Sequence, residues 1–270
     1  CISDTGALGV HHSLVRWNDD SVVDQHHERP QLAVLRPAFD AQLLAMAREA
    51  GAIVEQHAGF DGDAQIVVDA SGRSSCSRPQ RTRTSERTIA MRATWRGNGL
   101  PREARVEAVE DGWIWGSPMP DGSFAAIACV DADSTADASR YFAMLRASAL
   151  FRDLHGTPPV HCHDATTYAS EVVCDERLLR IGDASHSLDP LSSSGIRSAM
   201  QSALHASIVI NTILRRPQHA ALARRFYSDA QRAAVDEHTR WTQSFYADSH
   251  YSAESFWQKR AGAPSQTEST

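Results

Sequence analysis

Apolar positions recur along this chain with two spacings, and each stretch predicts a different element. Phe39, Leu43, Leu44, Ala47 and Ala50 fall at helical spacing, which predicts a helix over about residues 38–50, ended by Gly51. Residues 52–54 read as a short strand, and residues 65–69 as a compact buried strand that runs into the small-residue loop 70–75. From residue 88 to residue 131 the pattern becomes alternation, with hairpin turns at Glu110-Asp111-Gly112 and Pro120-Asp121-Gly122. Strands are expected at 88–95, 104–109, 112–118 and 124–130, forming an antiparallel wall. A helix over 134–150, strands within 161–173 and 178–181, and helices over 196–214 and 218–247 complete the reading. Arg215-Arg216-Pro217 closes the first of those two long helices, with its basic residues where the macrodipole favours them. Residues 1–35 are poorly patterned, 61–64 form a polar turn, 76–87 are polar and exposed, and the tail from Gly262 is small and polar.

Composition narrows the class without fixing the function. The chain has 270 residues, 42% of them hydrophobic and 22% charged, which is ordinary for a globular protein. A net charge of −6 argues against nucleic acid as a partner. Five cysteines with no Cys-x-x-Cys pair read as reduced thiols. No apolar run reaches the length of a membrane helix, so a cytoplasmic protein is expected.

The chemistry concentrates at residues 178–197. A short apolar run ends in Gly182-Asp183, a Pro- and Ser-rich turn follows, and Gly195 opens a long helix. A strand, a carboxylate, a tight loop and a helix N-terminus are the parts that hold a sugar-linked, electron-poor ring. Asp183 can accept from ribityl or ribose hydroxyls, and free N–H groups at Ser194, Gly195 and Ile196 can face an anionic ligand edge. Trp113 and Trp115, at i and i+2, share one face of a strand and can form an apolar wall. Each feature alone also reads as an ordinary turn or an aromatic pair in a sheet core.

Together, these motifs resemble a known superfamily. Gly182-Asp183 resembles the Gly-Asp motif of FAD-dependent aromatic hydroxylases, and Asp189-Pro190 through Ser193-Ser194-Gly195 is similar to the flavin-dependent tryptophan halogenase branch. The segment from Ile66 to Arg73 resembles the Asp-Ala-Thr-Gly motif, with Ser71 in place of Thr. Arg36, ahead of a Phe-Asp-containing helix, matches an arginine that lies against FAD. Gly112 to Pro118 resembles the halogenase Gly-Trp-x-Trp-x-Ile-Pro signature, with Ser117 in place of Ile. Within the superfamily, the form Leu-Ser-Ser-Ser-Gly-Ile looks most like flavoproteins that mature protein-derived quinone cofactors by hydroxylating a tryptophan.

The resemblance implies an α/β (α+β) fold of the para-hydroxybenzoate hydroxylase class. Residues 1–87 would form part of an FAD-binding region, 88–175 an antiparallel-sheet substrate domain, 176–216 the Gly-Asp motif and its helix, and 217–270 a C-terminal helical segment and tail. FAD would be held by Arg36, Asp69, Gly72, Gly182, Asp183, Pro190, Ser193, Ser194, Gly195 and Ile196, with His186, Trp113 and Trp115 as catalytic candidates. The implied reaction is monooxygenation of an electron-rich, indole-type ring through a flavin hydroperoxide. Molecular oxygen and NAD(P)H or a flavin reductase would be co-reactants, and a peptidyl tryptophan is one substrate form. A halogenase and a non-catalytic flavoprotein fragment are the alternatives.

Two features depart from the family pattern. No Gly-x-Gly-x-x-Gly fingerprint is present, and Cys1 is not an initiator methionine. The nucleotide-binding βαβ unit is therefore expected outside this sequence or on another chain, leaving weak FAD binding here. The halogenases' catalytic lysine has no counterpart before Lys259, the only lysine, which tilts the reading toward hydroxylation. His161 and His163 share a strand face, but two ligands do not make a metal site, and no metal is expected. Asp189 is expected to orient its turn, and Phe245 and Tyr246 of the aromatic tail segment to pack back on the core.

Overall fold

The computed structural model describes residues 6–56, 64–132 and 136–262. Cys1, most of the polar turn at 61–64, the expected helix start at 134–135 and nearly all of the tail lie outside the described residues. In chain order the elements begin with β1 (Leu8–Arg16), β2 (Val23–Ala33), α1 (Arg36–Glu49), β3 (Val67–Asp69), β4 (Arg81–Arg83), β5 (Thr88–Trp95), β6 (Ala104–Val109), β7 (Gly112–Pro118) and β8 (Phe124–Asp131). They continue with α2 (Ala138–Ala147), β9 (His161–Asp164), β10 (Tyr168–Ser170), β11 (Leu178–Arg180), β12 (His186–Ser187), α3 (Gly195–Arg215), α4 (Ala220–Ala247) and α5 (Ser255–Gln258). None of these helices is long and apolar enough to cross a membrane.

Two compact units emerge, each assembled from separated stretches rather than consecutive segments. The first comprises Cys1–Phe60, Ile89–Asp164 and Asp248–Trp257. It holds a seven-stranded sheet in the order β2-β1-β6-β7-β8-β5-β9. The expected antiparallel hairpins are present at β6/β7 and β7/β8. The sheet as a whole is mixed, because β1 runs parallel to β6, with Ser13 opposite Ala104. The poorly patterned residues 1–35 in fact carry β1 and β2. β2 is exposed along most of its length, so it has no apolar alternation to announce it.

The core of this unit lies on one face of β5, β7 and β8. Met91, Trp95, Ile114, Phe124, Ala126 and Ala128 pack there against Tyr141, Met144 and Leu145 of α2. Gly116 is required at that face, since a Cβ would stand 2.6 Å from the Phe124 ring and 2.7 Å from that of Phe151. One expected element is missing here for lack of burial. Residues 52–54 form no strand, and Ile53 is 91% exposed. The helix expected over 38–50 is present as α1, with Phe39 buried and Leu43 and Leu44 exposed. Periodicity marks a face that can be covered, not one that is.

The second unit comprises Asp61–Thr88, Ala165–Ala247 and Gln258–Thr270. It contains the three-stranded sheet β12-β10-β4 and the two-stranded pair β11-β3. Leu179 of β11, Ala206 and Val209 of α3, and Ala223 and Tyr227 of α4 form its buried apolar cluster. Tyr227 anchors α4 to the strand by donating from its hydroxyl to the Arg180 carbonyl at 2.7 Å.

Candidate functional site

The site is built from two short strands far apart in sequence. β3 and β11 pair in parallel, with Val67 opposite Leu178 and Asp69 opposite Arg180. Ile181 extends the ladder by donating to the Asp69 carbonyl at 3.0 Å. Parallel strands end on the same edge, so the loop after Asp69 and the loop after Ile181 emerge side by side. The C-terminal edge of parallel strands is where ligands settle in open α/β sheets.

The first loop is organised by Asp69, which is 1% exposed. Its carboxylate accepts from the Ser71 N–H (3.0 Å) and hydroxyl (2.5 Å), the Ser75 hydroxyl (2.6 Å), and the Ser77 N–H (3.1 Å) and hydroxyl (2.5 Å). Burial pushes this carboxyl upward, but the three serine hydroxyls and the Ser71 amide outweigh it and hold it below the ordinary carboxylate range. Gly72 follows at φ +73, with open space where a side chain would stand. Arg73 reaches out of this loop, donating to the Thr166 carbonyl at 3.0 Å and to the Ser187 hydroxyl at 2.8 Å.

The second loop starts at Gly182, whose φ of +54 favours glycine. A Cβ there would come within 3.1 Å of the Ala199 Cβ, so the missing side chain lets α3 approach the strand end. The Gly182 N–H donates to Ser202 Oγ of α3 at 2.9 Å. Asp183 is half-buried, and its carbonyl accepts from the Tyr168 hydroxyl at 2.6 Å. Asp189 shapes the turn ahead of Pro190, accepting from the Leu191 N–H at 3.0 Å. Ser193 then takes a left-handed φ of +50 that only a few per cent of non-glycine residues adopt. No side chain caps the N-terminus of α3, and both Gly195 and Ile196 are exposed there. The turn thus presents the uncapped positive end of a 21-residue helix beside the Gly182 loop.

His186 lies inside this loop, 3% exposed, with Nδ1 3.2 Å from Ser185 Oγ and Nε2 3.1 Å from Ser198 Oγ. Burial first, and the neighbouring His238 second, push its pKa down to about 4, so it is a neutral imidazole at ordinary pH. Its surroundings are those of a residue that ties the loop to the first turn of α3.

Sequence patterns gave no sign of a second layer beneath the turn. The Asp189 N–H donates to His238 Nε2 at 2.9 Å, and the Tyr246 hydroxyl donates to Asp189 Oδ2 at 2.9 Å. Burial raises the Asp189 carboxyl and lowers His238. His238 and Tyr246 sit eight positions apart on α4, 49 and 57 residues from Asp189, so no local motif links them to it. Lys259, the chain's only lysine, lines the small cavity beside Asp189, His238 and Tyr246.

Of the sequence candidates, Asp69, Gly72, Gly182, Asp183, His186, Pro190, Ser193, Ser194, Gly195 and Ile196 all belong to this one unit. Arg36, Trp113 and Trp115 belong to the other. Arg36 is an exposed first-turn residue of α1 paired with Asp40 at 3.2 Å. Trp113 and Trp115 share a face of β7, opposite to Ile114 and the α2 core. Trp113 is 2% exposed and Trp115 only partly buried. Phe245 is 40% exposed, whereas Tyr246 is packed into its unit. Among the described residues no group of three or more potential metal ligands occurs.

Whether these residues suit a flavin depends on the donors and space at the strand ends. The uncapped amides of α3, the half-buried Asp183 carboxylate and the open approach at Gly72 and Gly195 match an anionic ring edge carried on a polyhydroxyl chain. The residues therefore fit the group.

Comparison with known proteins agrees with the geometry. The family model described as tryptophan halogenase matches residues 45–269. A tryptophan 2-halogenase of Chondromyces crocatus is 28% identical over 219 residues, covering 72% of this chain and 41% of that protein. Among solved structures, a peptidyl tryptophan dihydroxylase essential for tryptophylquinone cofactor biogenesis has a TM-score of 0.79 and 28% identity, covering 96% of this chain and 65% of its own. A myxobacterial chondrochloren halogenase, a variant of FAD-dependent halogenases, shares the fold with a TM-score of 0.84 at 18% identity, covering 98% and 73%. The chain spans about two fifths of the curated halogenase's length.

Proposed function

This chain belongs to the tryptophan halogenase family, and on that premise we propose that it is the flavin- and substrate-facing part of an FAD-dependent enzyme that hydroxylates an indole-type ring. FAD is the cofactor of this family reading. The observation that carries the proposal is the β3/β11 pairing, which sets the loop at Asp69–Gly72 beside the loop at Gly182–Asp183, next to an uncapped helix. A peptide-borne tryptophan is the favoured substrate. Support comes from the 28% identity, over nearly the whole chain, to an enzyme named for peptidyl tryptophan.

Bound FAD, once reduced, would activate molecular oxygen and supply the electrophilic oxygen atom. Every other role falls to the protein. Asp183 would accept hydrogen bonds from the ribityl hydroxyls. Pro190 to Ile196 would flank the ring system, and the N–H groups at Ser194, Gly195 and Ile196 would favour negative charge on its edge. Asp69 would act as a positioning residue, its carboxylate spent on Ser71, Ser75 and Ser77 so that Gly72 is held in the approach to the cofactor. His186 would position Ser198 and the first turn of α3 as a neutral group. The co-reactants would be molecular oxygen and NAD(P)H or a flavin reductase.

The second reading is halogenation, favoured by the family model and by the identity to a tryptophan 2-halogenase. The test is product analysis with tryptophan and a tryptophan-containing peptide, with and without chloride or bromide. Hydroxylated product independent of halide supports the proposal, and a halogenated product replaces it with the second reading.

A further inference from the structure

β1 and β2 carry four histidines at one edge of the seven-stranded sheet. Two of them turn to strand neighbours. His27 Nε2 is 2.8 Å from Ser13 Oγ, and His11 Nδ1 is 3.4 Å from the His27 carbonyl. The other two, His12 and His26, face each other. They are direct register partners of an antiparallel pair, the arrangement that brings side chains on one face closest. His12 Nε2 and His26 Nδ1 stand 3.4 Å apart, with the ring planes tilted by 56°. That separation is long for a hydrogen bond. It matches two imidazole nitrogens on one tetrahedral zinc ion, which at about 2.0–2.1 Å from the metal lie about 3.3–3.4 Å from each other.

A carboxylate backs the pair. Asp24 lies opposite Leu14, two positions along from the His12–His26 pair and therefore on the same face. Its Oδ1 is 3.5 Å from His12 Nδ1. A carboxylate behind the far nitrogen of an imidazole keeps the proton there, so Nε2 is left as the lone-pair nitrogen. The His12 side chain is 55% exposed and that of Asp24 66%, so an ion can enter from water.

We propose that His12 and His26 bind a Zn²⁺ ion, with Asp24 orienting His12 and water completing the coordination. Two protein ligands make an open site, and imidazole nitrogens suit Zn²⁺ where Mg²⁺ takes oxygen. Pairing across two strands sets this pair apart from His161 and His163, which lie along the single strand β9. The register brings the two nitrogens together before any ion arrives. All three residues belong to the first unit and the Gly182–Ile196 loop to the second, so the site does not rest on the flavin reading.

The test is isothermal titration calorimetry of the 270-residue chain with zinc chloride and with magnesium chloride. Zinc should bind saturably and magnesium should not. His12→Ala and His26→Ala should each weaken zinc at least about tenfold, and Asp24→Asn about tenfold, the usual loss when an outer carboxylate is removed. All three positions are exposed, and circular dichroism checks that the variants fold. The double variant His161→Ala, His163→Ala should bind zinc like the wild type. No saturable zinc binding, equal binding of magnesium, or affinity unchanged in His12→Ala, His26→Ala or Asp24→Asn would each overturn the assignment. So would loss of the binding in the His161, His163 double variant, whereas failure of FAD to bind would leave this readout intact.

Discussion

Acid should destabilise the second unit through His186, and the size of the effect follows from its burial. An exposed or unfolded imidazole titrates near 6.5. In the fold, burial first and His238 second push this one to about 4. The unfolded chain therefore takes up a proton from about pH 6.5 downward, while the folded chain does not until about pH 4. Stability is full above about 6.5 and is lost as pH falls toward 4. Linkage over that interval gives about 2 kcal/mol lost between pH 7.5 and pH 5, approaching about 3 kcal/mol by pH 4. His238, also lowered by burial, adds to the same slope. The raised Asp189 carboxyl works in the opposite sense, from the unfolded carboxyl value near 4 upward. His186→Gln keeps a hydrogen-bonding group between Ser185 and Ser198 but cannot titrate. Urea unfolding of both proteins at pH 7.5 and pH 5 should show the wild type losing about 2 kcal/mol more than the variant, or about 4 to 8 °C in Tm. Equal losses would refute the reasoning.

Other perturbations test other parts of the site. Asp183→Ala should weaken FAD retention at least about tenfold, about the worth of one strong hydrogen bond; flavin occupancy equal to wild type, read from absorbance after gel filtration, would count against the assigned carboxylate. Asp69→Asn removes the charge that three serines converge on and should cost about 3 kcal/mol in urea unfolding, whereas a change below about 0.5 kcal/mol would contradict its organising role. Gly182→Ala forces a side chain onto a positive φ and against Ala199, so a loss of about 1–2 kcal/mol is expected, together with weaker FAD binding if α3 shifts. Trp113→Ala should cost about 3–5 kcal/mol as a fully buried ring, and Trp115→Ala clearly less; equal costs would mean the two do not differ in burial as described.

The elements that carry strong local patterns were legible in the sequence. The β6–β7–β8 hairpins follow from alternation and turn residues, and α3 follows from Gly195, its periodic apolar positions and its basic end. The loop from Gly182 to Ile196 was legible because it is contiguous. What pairs with it was not. Nothing in residues 66–69 states that they lie beside residues 178–181, since parallel pairing is set by packing across more than 100 residues. The exposed strand β2 lacked a pattern because neither face is buried, and Ile53 misled because an apolar residue at 91% exposure carries no packing information. His238 escaped notice, and Tyr246 was expected only to pack back on the core, because a helix face shows which residues are polar but not which turn they reach. The motif gave the expectation that Asp69 lies near the cofactor, but the commitment of its carboxylate to Ser71, Ser75 and Ser77 needed coordinates.

The central claim, that the strand-end loops hold a flavin, is tested most directly by the visible absorption spectrum of the purified chain before and after adding FAD. Bound flavin, with maxima near ~375 and ~450 nm set by the cofactor itself, should remain after gel filtration and fall away in Asp183→Ala. A chain that passes through the column colourless after saturation with FAD, and binds none by titration, would contradict the account and favour a non-catalytic module built on the same fold.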